Sequence, residues 1–288
     1  MNPETYAQQK AAQSGSSFYY SFLFLQPDQR RAITALYALC RELDDAVDAN
    51  EKEVAQAKLG WWHGELLRLY AKCPTHPVAK ALLPAINQFD MPKQYFDEIL
   101  LGMEHDLNFA QFADFEALSQ YCYRVAGVVG ILSCHIFGMT DKASLEFAEN
   151  LGLALQLVNI IRDVGEDYRR GRVYLPIDRV EAHKLDLDAL LEPSQNQALT
   201  SLLQEMAEKA RHHYSLAQSL LPKSERYKAR TALIMAEIYF ALLTEIEKEQ
   251  FNVQNQRIAL TPIRKLLIAW KTQRREKQTK KQLEKLES

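Results

Sequence analysis

Twice in this sequence two aspartates stand four residues apart inside an apolar, helix-like pattern. The first pair is Asp44 and Asp48, in CRELDDAVD; the second is Asp163 and Asp167, in NIIRDVGEDYRRGRVYLP. On an α-helix, residues i and i+4 share one face, about one turn apart. Two short carboxylates so placed repel each other unless a cation lies between them. Cys40 and Leu43 precede the first pair, and Leu155, Leu157, Val158, Ile160 and Ile161 precede the second. Taken singly, either pair fits a solvated helix surface. Two copies beside strong apolar stripes fit the rim of a cavity.

Magnesium suits such a rim, because it prefers hard oxygen ligands and completes its shell with water or substrate phosphates. Two opposed faces of this kind can hold two or three magnesium ions around one diphosphate, where they would neutralise a leaving group. Arginines are interleaved with both pairs: Arg41 lies three residues before Asp44, Arg162 adjoins Asp163, and Arg169, Arg170 and Arg172 follow. The planar guanidinium fork matches phosphate oxygens. Arg41 fits an intrahelical pair with Asp44 or Asp45 equally well, and Arg169 and Arg170 fit a solvated charge run. Arg162 stands in the more apolar segment.

The rest of the chain supports helices and nothing else. Glycine and proline number only 10 each, and no segment alternates long enough to propose a strand. Pro27 and Asp28 open a helix reaching Asp48, with a stripe of Ile33, Leu36, Tyr37, Cys40 and Val47. Further helices are expected over 52–70, from about 78, after Pro92, over 144–168, 199–220 and 228–249, and after Pro262. The segment 118–138 is apolar with embedded glycines. The expectation is an all-α chain of nine or ten helices in one domain over 1–288. Its basic end, 271–288, has seven Lys/Arg against three Glu and reads as a frayed, solvated tail.

A formal net charge of -2 gives no field for nucleic acid. The uncharged stretch 125–140 is too short to span a bilayer, and no secretory signal is visible, so any membrane contact is expected to be peripheral, at its inner face. Cys40, Cys73, Cys122 and Cys134 lack the spacing of a zinc site and read as reduced thiols of a cytoplasmic protein.

Four segments carry a resemblance to the squalene/phytoene synthase family: SGSSFYYSF, ALYALCRELDDAVD, YCYRVAGVVG and QLVNIIRDVGEDYRRGRVYLP, together spanning 14–176. The resemblance implies an isoprenoid-synthase bundle around a central cavity. It implies two farnesyl diphosphates as substrates, joined head to head through a magnesium-assisted allylic cation that closes to the cyclopropane of presqualene diphosphate. NADPH is not needed for that half-reaction, and downstream hopanoid-pathway enzymes are expected partners. Full squalene formation with NADPH, and phytoene formation from geranylgeranyl diphosphate, are the family alternatives. The chain stops soon after the bundle without an added anchor, which speaks mildly against the former.

Residue by residue, the resemblance implies metal ligation by Asp44, Asp48, Asp163 and Asp167, with Asp45 beside the first pair and Asn159 as a further ligand. Tyr37, Arg41, Arg162, Gln156, Tyr239 and Arg264 or Lys265 would hold diphosphate. Ser16 and Ser17 fall in an N-terminal serine motif that binds substrate. Tyr121 would stand near the reacting carbons, where an aromatic face attracts positive charge. Phe18, Phe22, Tyr123, Val125, Val129 and Leu132 are expected to line the cavity. Gly127 and Gly130 would leave width for a prenyl tail.

Overall fold

A computed structural model describes residues 2–13, 21–22, 24–48 and 51–287. Among these the secondary structure is helical and no strand occurs. The helices are α1 (Pro3–Gln13), α2 (Pro27–Asp48), α3 (Lys52–Tyr70), α4 (Pro77–Phe89), α5 (Lys93–Leu107), α6 (Phe115–Cys122), α7 (Val128–Phe137), α8 (Lys142–Arg169), α9 (Ile177–Ala182), α10 (Asn196–Leu220), α11 (Arg230–Lys248) and α12 (Pro262–Glu287). A single π-helical turn, Tyr123–Gly127, joins α6 to α7, and a 3-10 turn, Pro193–Gln195, leads into α10.

Local chemistry sets the boundaries. Asp114 accepts a hydrogen bond from Ala117 N at 2.9 Å and starts α6; Asp141 accepts from Ser144 N at 3.0 Å and starts α8. These caps satisfy amides that the first turn leaves without intrahelical partners. Gly138 ends α7 at φ 71°, a left-handed conformation that glycine adopts without a Cβ penalty. Buried Glu65 in α3 fixes the following loop by accepting from Thr75 N and His76 N, each at 2.6 Å.

Helix α8, with 28 residues, is roughly 42 Å long at 1.5 Å per residue. It divides the core into two apolar clusters. One gathers α1 to α5 with α7, around Leu36, Leu39, Phe96 and Phe147. The other gathers the C-terminal half of α8 with α6, α10 and α11, around Leu157, Ile161, Leu203 and Ile246. A cavity lies between them.

The structure departs from the sequence pattern in three places. Helices α1 and α9 escaped the sequence pattern, because α1 is mostly polar and α9 has only six residues. The segment 118–138 contains the end of α6, the π turn and α7, a division the apolar pattern does not reveal. The basic segment 271–287 is not frayed: α12 continues through it, with Thr272 and Glu276 buried and Glu276 paired to Arg226 at 3.1 Å.

Candidate active site

The cavity is about 540 Å³. Its polar end is set by α2, α5, α8 and the segment before α12, which contribute Arg41, Asp44, Asp106, Asn159, Arg162 and Arg257. Its other end runs into the core past Met103, Val129, Phe137 and Phe147. One hollow thus joins a charged rim to an apolar interior.

The first pair comes from the last turns of α2. Asp44 accepts from Arg41 Nη1 at 3.0 Å. Burial, together with the carboxylates of Asp48, Asp106 and Asp45, pushes Asp44 up to about 7, against the opposing pull of Arg41. Asp48 lies on the same face and is paired to Arg172 at 2.6 Å and Arg170 at 3.7 Å. Asp45 points elsewhere, to Lys10 of α1 at 2.8 Å.

The second pair comes from the last turns of α8. Asp163 is held by Arg162 Nε at 2.7 Å and by Arg257 Nε at 3.0 Å. Asp167 is pushed up to about 7 by burial and by its neighbours Asp163 and Glu166. Arg172, in the turn after α8, reaches Asp48 at the end of α2 and so links the two acidic helix ends; of the four aspartates Asp44 is on the cavity lining, and Asp48, Asp163 and Asp167 are not. Arg162 is raised above its ordinary value: burial opposes its charge, but Asp163 and Tyr239 outweigh that. Lys265 is lowered by burial and by Arg162 and Arg257, which places three cations beside one another at the rim.

Asn159, one turn before Asp163, donates to Gln156 Oε1 at 3.1 Å, while its own Oδ1 is buried without a hydrogen-bond partner. An orphaned amide oxygen and mutually repelling carboxylates form a hard donor set that fits magnesium. Among the described residues, no three His, Cys, Asp or Glu side chains are already gathered as a metal cage.

Tyr121 lines the cavity and donates to Asp106 Oδ2 at 3.0 Å. Tyr174 donates to Asp106 Oδ1 at 2.8 Å. The Tyr121 and Tyr174 rings stack with centroids 5.4 Å apart, beside Phe112 and His105. Burial raises the Tyr121 hydroxyl well above its ordinary value, so it stays protonated. Asp106 is pushed up to about 6 by burial, with the two tyrosine donors pulling the other way.

Of the expected site residues, the cavity brings together Phe22, Tyr37, Arg41, Asp44, Tyr121, Val125, Val129, Gln156, Asn159, Arg162, Tyr239 and Lys265. Ser16, Ser17 and Phe18 lie outside the described residues. Arg264 is corrected: it turns away and pairs with Glu245 at 2.9 Å, leaving Lys265 on the lining. Leu132 is corrected: it is fully buried in the core, and Tyr123 likewise packs there rather than on the lining. The glycine reading is corrected too. A Cβ on Gly130 would come 2.8 Å from Ala148 O, and a Cβ on Gly152 of α8 would come 2.7 Å from the Gly127 backbone. These glycines let α8 pack closely and do not widen the cavity, although Gly130 borders it.

Asp106 and Arg257 were missed. Asp106 belongs to no local motif; its partners lie 15 and 68 residues away. Arg257 lies 94 residues from Asp163. The available signals were an acid in the last turn of α5 and a lone arginine before Pro262.

Known proteins resemble this chain along nearly its whole length. The 15-cis-phytoene synthase of Synechocystis sp. is 34% identical, over 91% of this chain and 82% of its own. The presqualene diphosphate synthase of Rhodopseudomonas palustris is 33% identical, over 92% of this chain and 95% of its own. The crystal structure of a dehydrosqualene synthase in complex with ligand superposes with a TM-score of 0.85 at 28% identity, covering 96% of this chain and 97% of the other. The squalene/phytoene synthase profile matches residues 11–264, and the chain belongs to that family of prenyltransferases.

Proposed function

We propose that this enzyme joins two farnesyl diphosphates head to head, releasing one diphosphate and forming presqualene diphosphate. One observation carries the reading: a single cavity has carboxylates and guanidinium groups at one end and an apolar interior at the other. Such a shape holds a diphosphate and its prenyl chain together. The presqualene diphosphate synthase relative, matched over 95% of its length, favours this product.

Asp44, Asp48, Asn159, Asp163 and Asp167 would hold magnesium, which when bound draws negative charge off the departing diphosphate. Arg41, Arg162, Arg257 and Lys265 grip phosphate oxygens, with Tyr37 and Tyr239 donating beside them. Preorganised cations stabilise the leaving group as the donor's carbon–oxygen bond breaks. The apolar walls keep water from the allylic cation until the acceptor's double bond attacks. The Tyr121 ring faces the cavity, where it attracts the cation's charge, while Asp106 and Tyr174 fix its orientation. Loss of one proton, to the released diphosphate, closes the cyclopropane.

A second reading, phytoene formation from geranylgeranyl diphosphate, is favoured by the similarity to the Synechocystis enzyme. Incubation with farnesyl diphosphate and magnesium, with and without NADPH, followed by mass analysis, separates the cases. A cyclopropyl C30 diphosphate under both conditions supports presqualene diphosphate. Squalene formed only with NADPH extends the reaction to full squalene synthesis. A C40 product from geranylgeranyl diphosphate, with none from farnesyl diphosphate, replaces the first reading by the second.

A further inference from the structure

The described surface has few large exposed apolar side chains, and four of the nine lie within eight residues of α12. Ile263, Leu266, Leu267 and Trp270 are 72%, 45%, 52% and 51% exposed. Their spacing of three and four places them on one face. The opposite face, through Ala269, Thr272 and Glu276, is the one buried against the bundle. The apolar stripe therefore points outward, where it contributes nothing to the core.

The same outward face continues as a basic one. At 100° per residue, Arg274, Lys277 and Lys281 fall in line with Ile263 and Trp270, and all three are exposed. Arg274 sits over the Trp270 ring at 5.4 Å, linking the two halves of the stripe. An apolar patch bearing a tryptophan, followed on one helix face by cations, matches a bilayer that offers hydrocarbon beneath anionic headgroups. No helix among the described residues is long and apolar enough to cross a membrane, so the contact is interfacial.

Position gives this face a use. Lys265 lines the cavity and Leu266 is the next residue, so the apolar patch adjoins the cavity wall formed by 257–260 and Lys265. We propose that the outward face of α12 seats on an anionic bilayer surface, with Ile263, Leu266, Leu267 and Trp270 entering the interface and Arg274, Lys277 and Lys281 meeting lipid phosphates. The cavity then lies beside the phase into which prenyl chains partition. This docking needs no particular substrate and stands whether the product is C30 or C40.

Flotation of the full chain with phosphatidylcholine vesicles, and with matched vesicles containing phosphatidylglycerol, tests the proposal. The protein is expected to float with the anionic vesicles and release at high salt. Leu267→Ser with Trp270→Ser lowers the partition coefficient on the order of tenfold or more, and Lys277→Glu with Lys281→Glu removes the preference for anionic lipid. Because all four side chains are exposed, unfolding temperature should not move. Salt-sensitive flotation of the wild type reads the same property without any variant. Absence of flotation with anionic vesicles, or flotation unchanged in both variants, overturns the proposal. So does a wild-type dimer in sedimentation velocity that Trp270→Ser dissociates without any vesicle binding; the face would then belong to a second copy of this chain.

Discussion

Arg172 Nη1 lies 2.6 Å from Asp48 Oδ1, tying the end of one aspartate-bearing helix to the turn that follows the other. Arg257 makes the equivalent contact with Asp163 at 3.0 Å. In both cases an arginine supplies the positive charge that a face of carboxylates requires. Partly exposed pairs of this kind contribute little to stability. Their effect is positional: Arg172 holds the end of α2 to the turn after α8, and Arg257 holds the segment before α12 to α8.

Asp44→Asn and Asp163→Asn should each reduce turnover by about a thousandfold or more, since each removes a charged oxygen from the donor set. Helical content by circular dichroism should stay at the wild-type level, because neither side chain belongs to the core. Undiminished magnesium-dependent turnover in either variant would remove that residue from the metal assignment.

The contribution of Asp44 and Asp167 to the stability of the metal-free protein should fall as pH rises from about 4 to 7. Asp44 and Asp167 are raised from an ordinary 3.8 to about 7 in the fold. Between those values the unfolded chain has lost its proton while the folded one keeps it, so rising pH favours unfolding. Below 3.8 both states are protonated and the difference vanishes. Asp167→Asn should therefore raise the unfolding temperature at pH 8, by about 2–4 °C for each kcal/mol recovered, and leave it unchanged near pH 4. Magnesium, which needs deprotonated ligands, should stabilise the wild type more at pH 8 than at pH 6. A thermal-unfolding series across pH decides the matter; a rise between pH 4 and 7 that both Asp44→Asn and Asp167→Asn abolish would reverse the sign argued here.

Asp106 acts through Tyr121, and the two should be energetically coupled. Asp106→Asn replaces one acceptor oxygen with a donor, so one of the two tyrosine hydroxyls loses its acceptor. Turnover should fall on the order of 10- to 100-fold, with a smaller change in KM, because orientation near the reacting carbons is disturbed more than binding. In a Tyr121→Phe background the same substitution should cost far less. Equal losses in both backgrounds would give Asp106 a role independent of that hydroxyl.

The local parts of this architecture are legible from the chain. Pro27, Asp28 and the apolar stripe through Cys40 give α2 to its last residue, and the twin aspartate spacing marks the two helix ends that Arg172 links. The assembled parts are less so. The π turn at 123–127 keeps an apolar pattern across its extra residue, so periodicity does not reveal it. Asp106 and Arg257 gain their meaning from partners far along the chain. The glycines at 127 and 130 look like cavity space until the backbone of α8 is seen to fill it. Sequence patterns report which face of a helix is apolar; they do not report what packs there.

Gly165, between Asp163 and Asp167, follows the same logic and yields the sharpest structural test. A Cβ at this position would collide with the Gln254 carbonyl and come within 2.8 Å of Val253 O. Both obstacles are backbone, so neither can swing aside as a flexible side chain does. The missing side chain lets the 253–257 segment cross α8 closely enough for Arg257 to reach Asp163, and Arg169 reinforces the crossing by donating to Gln254 O. Gly165→Ala should gain the ordinary helix preference of alanine, about 0.5–1 kcal/mol. It should lose more, about 1–3 kcal/mol, to overpacking, and turnover should fall as Arg257 is displaced. Gly60 in α3 supplies the control, because nothing lies within 4 Å of a Cβ there. Gly60→Ala should therefore raise the unfolding temperature while Gly165→Ala lowers it. A Gly165→Ala enzyme as stable and as active as the wild type would show that the segment carrying Arg257 does not depend on this close crossing.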